Sequence, residues 1–181
     1  MRIVGGEARG RPLRAVPGRS TRPTSDRVRQ SLFDVLGQRC DGLRVLDLFA
    51  GTGALGLEAL SRGAEAATLV DEDKDACAVA LRNAESLGYA ARCTVMREDV
   101  FRALARLPGP YDLVFSDPPY AARASGRILE ALAKGPLLAG GGRAVLERDR
   151  REPLPEVPAG LRLVEERRYG DTVLLFVERA G

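Results

Sequence analysis

The chain of 181 residues contains no histidine and no tryptophan, three cysteines, and lysine only at Lys74 and Lys134. Without histidine there is no Ser-His or Cys-His nucleophile system, so acid-base work falls to carboxylates, tyrosine or lysine. Hydrolase readings of that type drop out. Cys40, Cys77 and Cys93 lie far apart with no C-x-x-C pair, a spacing that supports neither a disulfide framework nor a zinc site. Reduced thiols and no metal are expected. No charged segment followed by an apolar stretch opens the sequence, and no run approaches the roughly 20 apolar residues that cross a bilayer. A cytoplasmic protein with no membrane partner is the expectation.

An apolar content of 45% supplies enough material for one real core, and the length suits one ordinary domain with a small appendage. The balance of 28 basic against 25 acidic side chains leaves only +3 overall, so the distribution of charge is more informative than its sum. Arg2, Arg9, Arg11, Arg14, Arg19, Arg22, Arg27 and Arg29 crowd the beginning of the chain, opposed there only by Glu7 and Asp26. Such an end reads as a phosphate-binding surface or as a solvated tail, and arginine suits bidentate phosphate contact. The scarcity of lysine throughout also fits genomic bias.

Short β pieces over Arg2 to Val4 and Pro12 to Val16, around Gly5, Gly6 and Gly10, predict a small basic hairpin. Ser25 then caps a helix presenting Val28, Leu32, Phe33, Val35 and Leu36 to a core and ending near Gly37. Residues 1–24 are therefore read as a basic arm and 25–181 as the main domain. From Arg44 onward, apolar strands near Val45, Ala67, Cys93, Tyr111 and Arg143 alternate with helices, which argues for a parallel sheet covered on both faces. Leu161 to Arg168 and Thr172 to Val177 flank Gly170-Asp171 closely enough for an antiparallel hairpin. The predicted fold class is α/β, Rossmann-like, with a mostly parallel seven-stranded sheet ending in that hairpin.

Gly51-Thr52-Gly53-Ala54-Leu55-Gly56 is a literal G-x-G-x-x-G between a strand and a helix, and Asp71 follows about twenty positions on. This pattern binds an adenosine-type cofactor without choosing among them. Asp47, shortly before the glycines, would oppose a pyrophosphate and favour a cationic sulfonium or ammonium, which tilts the choice to S-adenosylmethionine. Asp99, after the third strand, is placed either to meet an adenine amino group or to cap the next helix. At the end of the next strand, Asp117-Pro118-Pro119-Tyr120 sets a carboxylate, a stiffened turn and a ring where open α/β sheets bind ligands. Two prolines remove two donors and leave acceptor carbonyls, which suits the exocyclic amine of a nucleobase lying against Tyr120.

With Asp47-Leu48-Phe49-Ala50-Gly51-Thr52-Gly53 and Asp117-Pro118-Pro119-Tyr120 both present, the chain resembles class I methyltransferases acting on base amino groups. Adding Arg22-Pro23-Thr24, Arg27-Val28-Arg29, Phe33 and Gly170-Asp171-Thr172, it is similar over nearly its whole length to the RsmD family of bacterial 16S rRNA guanine-N2-methyltransferases. The resemblance implies S-adenosylmethionine as cofactor and small-subunit ribosomal RNA, within an assembled or partly assembled 30S particle, as partner of a monomeric enzyme. It places Asp47, Phe49, Gly51, Gly53, Asp71, Asp99, Val100 and Thr24 at the cofactor. Asp117, Pro118 and Tyr120 would act on the guanine, with Pro119, Arg9, Arg11 and Arg22 toward the substrate. The family often has Glu where Asp71 stands here. The rival readings are a DNA adenine-N6-methyltransferase, which shares the four-residue motif, and a non-catalytic RNA-binding domain with a relic pocket. A nicotinamide-dependent oxidoreductase and a methyltransferase of protein side-chain amides are more distant alternatives.

Overall fold

The computed structural model describes residues 1–18, 25–119 and 124–181. In chain order the helices are α1 (Asp26–Leu36), α2 (Ala54–Ser61), α3 (Lys74–Leu87), α4 (Val100–Arg106) and α5 (Ser125–Lys134). The strands are β1 (Arg44–Leu48), β2 (Ala66–Asp71), β3 (Cys93–Arg97), β4 (Tyr111–Ser116), β5 (Leu138–Asp149), β6 (Leu161–Tyr169) and β7 (Thr172–Arg179). They form one sheet in the order β3-β2-β1-β4-β5-β7-β6. The first five run parallel, while β7 is antiparallel to both β5 and β6. The expected reversed hairpin is thus present, with β7 inserted between β5 and β6.

Alternation along the strands sorts the core into two layers. Val45, Leu69, Leu113, Phe115 and Val145 face Leu32, Phe33, Leu57, Leu60 and Ala84 of the first three helices. Leu46, Leu48, Val70, Val114 and Leu146 face Val100, Leu104, Ile128 and Leu132 of α4 and α5. A period of two on β1 therefore carries Asp47 to the same side as Val45, against α2. The chain passes from β1 outward through β2 to β3, then returns to place β4 on the other side of β1. This reversal opens a crevice at the carboxyl ends of β1 and β4, the usual ligand position in such sheets.

Local signals place the elements closely. Ser25 caps α1, accepting from the Val28 amide at 3.2 Å, and Gly37 ends it with φ 94°. Strand β5 begins earlier than the run 143–147 suggests, at Leu138 opposite Tyr111; Gly140-Gly141-Gly142 fall in the irregularity before the Leu113–Arg143 pair and offer no side chains that signal a strand. The amino-terminal segment differs more. Its two β pieces do pair, but only through a single antiparallel bridge, Arg2 opposite Pro12, with the Ile3 amide donating to the Arg11 carbonyl at 2.9 Å and the Leu13 amide to the Met1 carbonyl at 3.0 Å. Helix α2 takes the donors that a partner strand would otherwise satisfy. The Val4 and Gly5 amides donate to the Glu58 carboxylate at 2.9 and 2.7 Å, and the Ala8 amide to Ser61 Oγ at 3.0 Å. Ile3, Ala8 and Leu13 are buried in the main core, and Val16 packs on Ala76 and Val79 of α3.

Arg29 also departs from the reading of a uniformly basic surface. Its side chain is fully buried, donates to Asp26 at 2.8 Å and to the Arg2 carbonyl at 2.5 Å, and lies 3.9 Å from Glu58. Glu58 also accepts from Arg62 Nε at 2.9 Å, and the Arg62 guanidinium lies 4.5 Å from the Phe33 ring centroid. A buried guanidinium requires charged and hydrogen-bonding partners, so Arg29 serves inside the fold and is removed from the exposed basic surface.

Candidate active site

Strand β1 ends at Leu48, and the next residues turn sharply: Phe49, Gly51 and Gly53 have φ of 58°, 55° and 79°. The left-handed region costs a non-glycine residue energy, and such strain concentrates at ligand sites. Phe49 is held there by its surroundings. Its ring packs edge-on to Phe101 at 6.4 Å, and the Arg127 guanidinium lies 3.5 Å from the Phe101 centroid. The Ala50 amide donates to the Val70 carbonyl at 3.0 Å, and Gly53 to Ala50 at 2.8 Å. A Cβ at Gly56 would stand 2.3 Å from Leu69 Cδ2, so this glycine lets α2 approach β2. A Cβ at Gly51 would meet nothing within 4 Å. One glycine serves packing and the other faces open space, as a turn that receives a ligand requires.

Carboxylates surround this turn. Asp47, 1% exposed, accepts from the Gly56 amide at 2.9 Å. Burial pushes its pKa well above the usual carboxylate range; the Gly56 hydrogen bond opposes this, and the negative charges of Asp117 and Asp71 add to it. Asp71 ends β2, with one oxygen accepting from the Gly51 amide and the other from the Asp73 amide, each at 2.9 Å. Asp117 directly follows β4, is half-buried, and donates its amide to the Leu48 carbonyl at 3.4 Å. Since Leu48 pairs with Ser116, Asp117 lies beside the start of the glycine turn. Three acidic side chains thus meet at the crevice between β1, β2 and β4.

Asp99 caps α4, accepting from the Arg102 amide at 3.0 Å. The helix-capping role weighed for it is therefore real, and it does not prevent the remaining acceptor sites of the carboxylate from meeting a ligand. Beside it is an open depression of about 710 Å³ lined by Glu72, Arg97, Glu98, Asp99 and Arg102. The Val100 side chain is buried in the α4–α5 core, which leaves its backbone as the part able to face a cofactor. Pro118 is buried and Pro119 exposed. Ser116, immediately before the motif, is buried with a hydroxyl that has no hydrogen-bond partner. Tyr120, Arg22 and Thr24 lie outside the described residues.

Arg9 and Arg11 are exposed, with Arg11 also donating to the Ser86 carbonyl at 2.5 Å. Three buried polar residues that the sequence did not single out hold this region together. Glu58 and Ser61 bind the backbone of residues 4–8, and Asn83 of α3 binds both Arg14 and Thr52. Glu147 is a fourth omission. It is buried on β5, one step beyond the Leu146–Ser116 pair and so level with Asp117, and accepts from Thr172 Oγ1 at 3.4 Å. Burial pushes the Cys40 and Cys93 thiols up to about 11, so neither serves as a nucleophile near neutral pH.

Residues 1–178 match the model of the family described as conserved hypothetical protein 95. YlbH of Bacillus subtilis (strain 168) is 39% identical over the full length of both chains. Ribosomal RNA small subunit methyltransferase D of Escherichia coli (strain K12) is 35% identical over 99% of this chain and 90% of its own. The solved structure of yhhF from Escherichia coli superposes with a TM-score of 0.90 at 35% identity, covering 99% of this chain and 98% of that one. The chain therefore belongs to the conserved hypothetical protein 95 family, the RsmD family that its motifs resemble.

Proposed function

We propose that the protein is an S-adenosylmethionine-dependent methyltransferase that modifies the exocyclic N2 amine of a guanine in small-subunit ribosomal RNA, on an assembled or partly assembled 30S particle. The observation that carries this reading is the meeting of Asp47, Asp71 and Asp117 around a glycine turn with open space above Gly51. Two carboxylates at one crevice, with a third, Asp47, that a cation bound nearby would ionise, favour a ligand with positive charge and oppose a pyrophosphate. The sulfonium and ammonium of S-adenosylmethionine meet that requirement, whereas a nicotinamide dinucleotide does not. The name of the Escherichia coli relative, a ribosomal RNA small subunit methyltransferase, supports the polymer.

The residues fit this cofactor in detail. Each carboxylate oxygen has two acceptor directions, so Asp71, with one backbone donor on each oxygen, retains capacity for both ribose hydroxyls. Its side chain, anchored to Gly51, ties the ribose position to the turn. Asp47 and the turn from Phe49 to Gly53 would hold the methionine end, Asp99 and the Val100 backbone the adenine, and Thr24 a further edge.

When bound, the cofactor supplies an electrophilic methyl carbon. The protein's task is to present a nitrogen lone pair in line with it. In guanine that lone pair is delocalised into the ring. Accepting the two amine hydrogens on the Asp117 carboxylate and the Pro118 carbonyl directs them away from the methyl and localises the lone pair. Positive charge would develop on the amine as its bond to the methyl forms and the methyl's bond to sulfur breaks. The Asp117 carboxylate would stabilise that charge without first removing a proton, and the methylated amine would afterwards lose its surplus proton to solvent. Tyr120 would stack on the extruded base, a contact worth about 1–3 kcal/mol, with Pro119 at its edge. Arg9, Arg11 and Arg22 would meet phosphates. The working unit in this reading is a monomer, in the cytoplasm where ribosomal subunits are built.

Transfer of labelled methyl from S-adenosylmethionine to 30S particles, deproteinised small-subunit rRNA and duplex DNA tests the reading. Uptake by 30S or its RNA as N2-methylguanosine is expected. Uptake by DNA as N6-methyladenine would transfer the assignment to the rival enzyme class.

A further inference from the structure

Asn83 stands where two parts of the molecule meet. It lies on α3, is fully buried, and uses its whole amide. Oδ1 accepts from the Arg14 amide at 2.8 Å, while Nδ2 donates to the Arg14 carbonyl at 3.2 Å and to the Thr52 carbonyl at 3.0 Å. The chemistry fixes the amide's orientation, because an N–H must face oxygen and carbonyls must face nitrogen. Arg14 belongs to the basic amino-terminal segment, and Thr52 is the middle residue of the Gly51-Thr52-Gly53 turn. No hydrophobic residue of the same size, and no aspartate, supplies both donors and an acceptor at this point.

The neighbouring contacts make the connection directional. Val16 packs on Ala76 and Val79, and Arg11 donates to the Ser86 carbonyl, so residues 11–16 follow α3. The other anchors of the segment, Glu58 and Ser61, hold residues 4–8 on α2. Asn83 bonds the segment and the glycine turn at once through its buried amide, beside one longer contact at the exposed rim, Thr52 Oγ1 to Met1 Sδ at 3.9 Å. A ligand seated on the turn restricts Thr52, and through the shared amide it restricts Arg14. A polyanion gripping the exposed Arg9, Arg11 and Arg14 restricts the same amide from the other side.

We infer that Asn83 is a positioning residue that couples the cofactor turn to the basic segment, so that occupancy of the cofactor site and binding of ribosomal RNA strengthen one another. This rests on the methyltransferase reading above. Linkage makes the effect reciprocal: if cofactor tightens RNA binding by some factor, RNA tightens cofactor binding by the same factor.

The test measures the Kd of small-subunit rRNA transcribed in vitro, with and without saturating S-adenosylhomocysteine, for the full chain and for Asn83→Ala. The wild type is expected to bind RNA about five-fold tighter or better with the ligand present, and Asn83→Ala to lose most of that ratio. In turnover, Asn83→Ala should raise KM for RNA more than it lowers kcat, which a general loss of folded protein would not do. Asn83→Asp keeps the shape and the acceptor for Arg14 but cannot donate to Thr52, so it should lose the coupling too and carries the test where the alanine variant does not fold. Hydrogen exchange of the unaltered protein needs no variant: S-adenosylhomocysteine should slow exchange at the Arg14 amide. Equal ratios in wild type and variants, or protection of the glycine turn with no change at Arg14, would overturn the inference. If S-adenosylhomocysteine does not bind the wild type at all, it is the methyltransferase reading that fails.

Discussion

Asp117 follows the end of β4 and Asp47 lies on the neighbouring β1, and each bears on a different step. For Asp117 the proposed role is to accept hydrogens from the target amine. Asp117→Ala is expected to lower kcat by about 100-fold or more, the scale of removing one preorganised electrostatic contact. Asp117→Asn retains a carbonyl oxygen and should keep more activity than alanine; equal losses in single-turnover rates would count against lone-pair localisation. For Asp47 the raised pKa has a defined sign. The folded-state value lies above the unfolded one, so its stabilising contribution is complete below about 3.9, the unperturbed aspartate value, and is lost as pH rises through the folded value. A cation bound nearby favours the ionised form. Binding of S-adenosylmethionine is therefore predicted to release protons, seen as different calorimetric heats in buffers of different ionisation enthalpy. Asp47→Asn keeps an acceptor for the Gly56 amide, so it should leave the ligand-free protein at least as stable at pH 8 and weaken cofactor binding about ten-fold or more, the loss of one charge-assisted contact. A variant with unchanged affinity and unchanged proton release would exclude Asp47 from the cofactor site.

At the scale of elements, the amino-terminal segment is bound to the domain by buried polar side chains on two helices. Glu58 accepts from Val4, Gly5 and Arg62 and neighbours Arg29. Removing it leaves the buried Arg62 guanidinium without its carboxylate, while Arg29 keeps Asp26. Glu58→Ala should cost about 3–5 kcal/mol in urea unfolding; a cost near that of a surface substitution would show that the cluster is dispensable. The exposed arginines carry a different expectation. Arg9→Ala should weaken RNA binding and reduce the slope of log affinity against log salt by roughly one phosphate contact. An unchanged slope would reduce Arg9 to a solvated side chain. None of Glu58, Ser61 and Asn83 was legible in the sequence. Each is a single polar residue on a helix whose purpose is to satisfy backbone groups distant in the chain, and such a role leaves no periodic pattern. Arg29 was misplaced for the opposite reason: a run of arginines in sequence gives charge density but not direction, and at position 29 the helix turns its guanidinium inward. Elements with local signals were read closely, among them α1 with its Ser25 cap and Gly37 stop, and the β6–β7 hairpin around Gly170-Asp171.

For the whole molecule, the order of the strands decides where the chemistry can occur. Periodic apolar runs and helix caps made the parallel sheet and its reversed hairpin readable, and the Gly51–Gly56 spacing with Asp71 marked one wall of the crevice. Sequence alone could not show that Asp47 is buried deeply enough to change its titration, since that depends on the packing of α2 over β1. This matters for pH dependence. With no histidine in the chain, kcat at saturating cofactor is expected to show no inflection near the usual imidazole pKa of about 6.5, whereas kcat/KM for S-adenosylmethionine should rise with pH as Asp47 ionises. The comparison that tests the central claim most directly is nucleoside mapping of small-subunit rRNA from cells lacking this protein, complemented with the wild-type chain or with folded Asp117→Ala. One N2-methylguanosine should be missing in the deletion, restored by the wild type and not by the variant. A full complement of N2-methylguanosine in the deletion, or restoration by Asp117→Ala equal to the wild type, would contradict it.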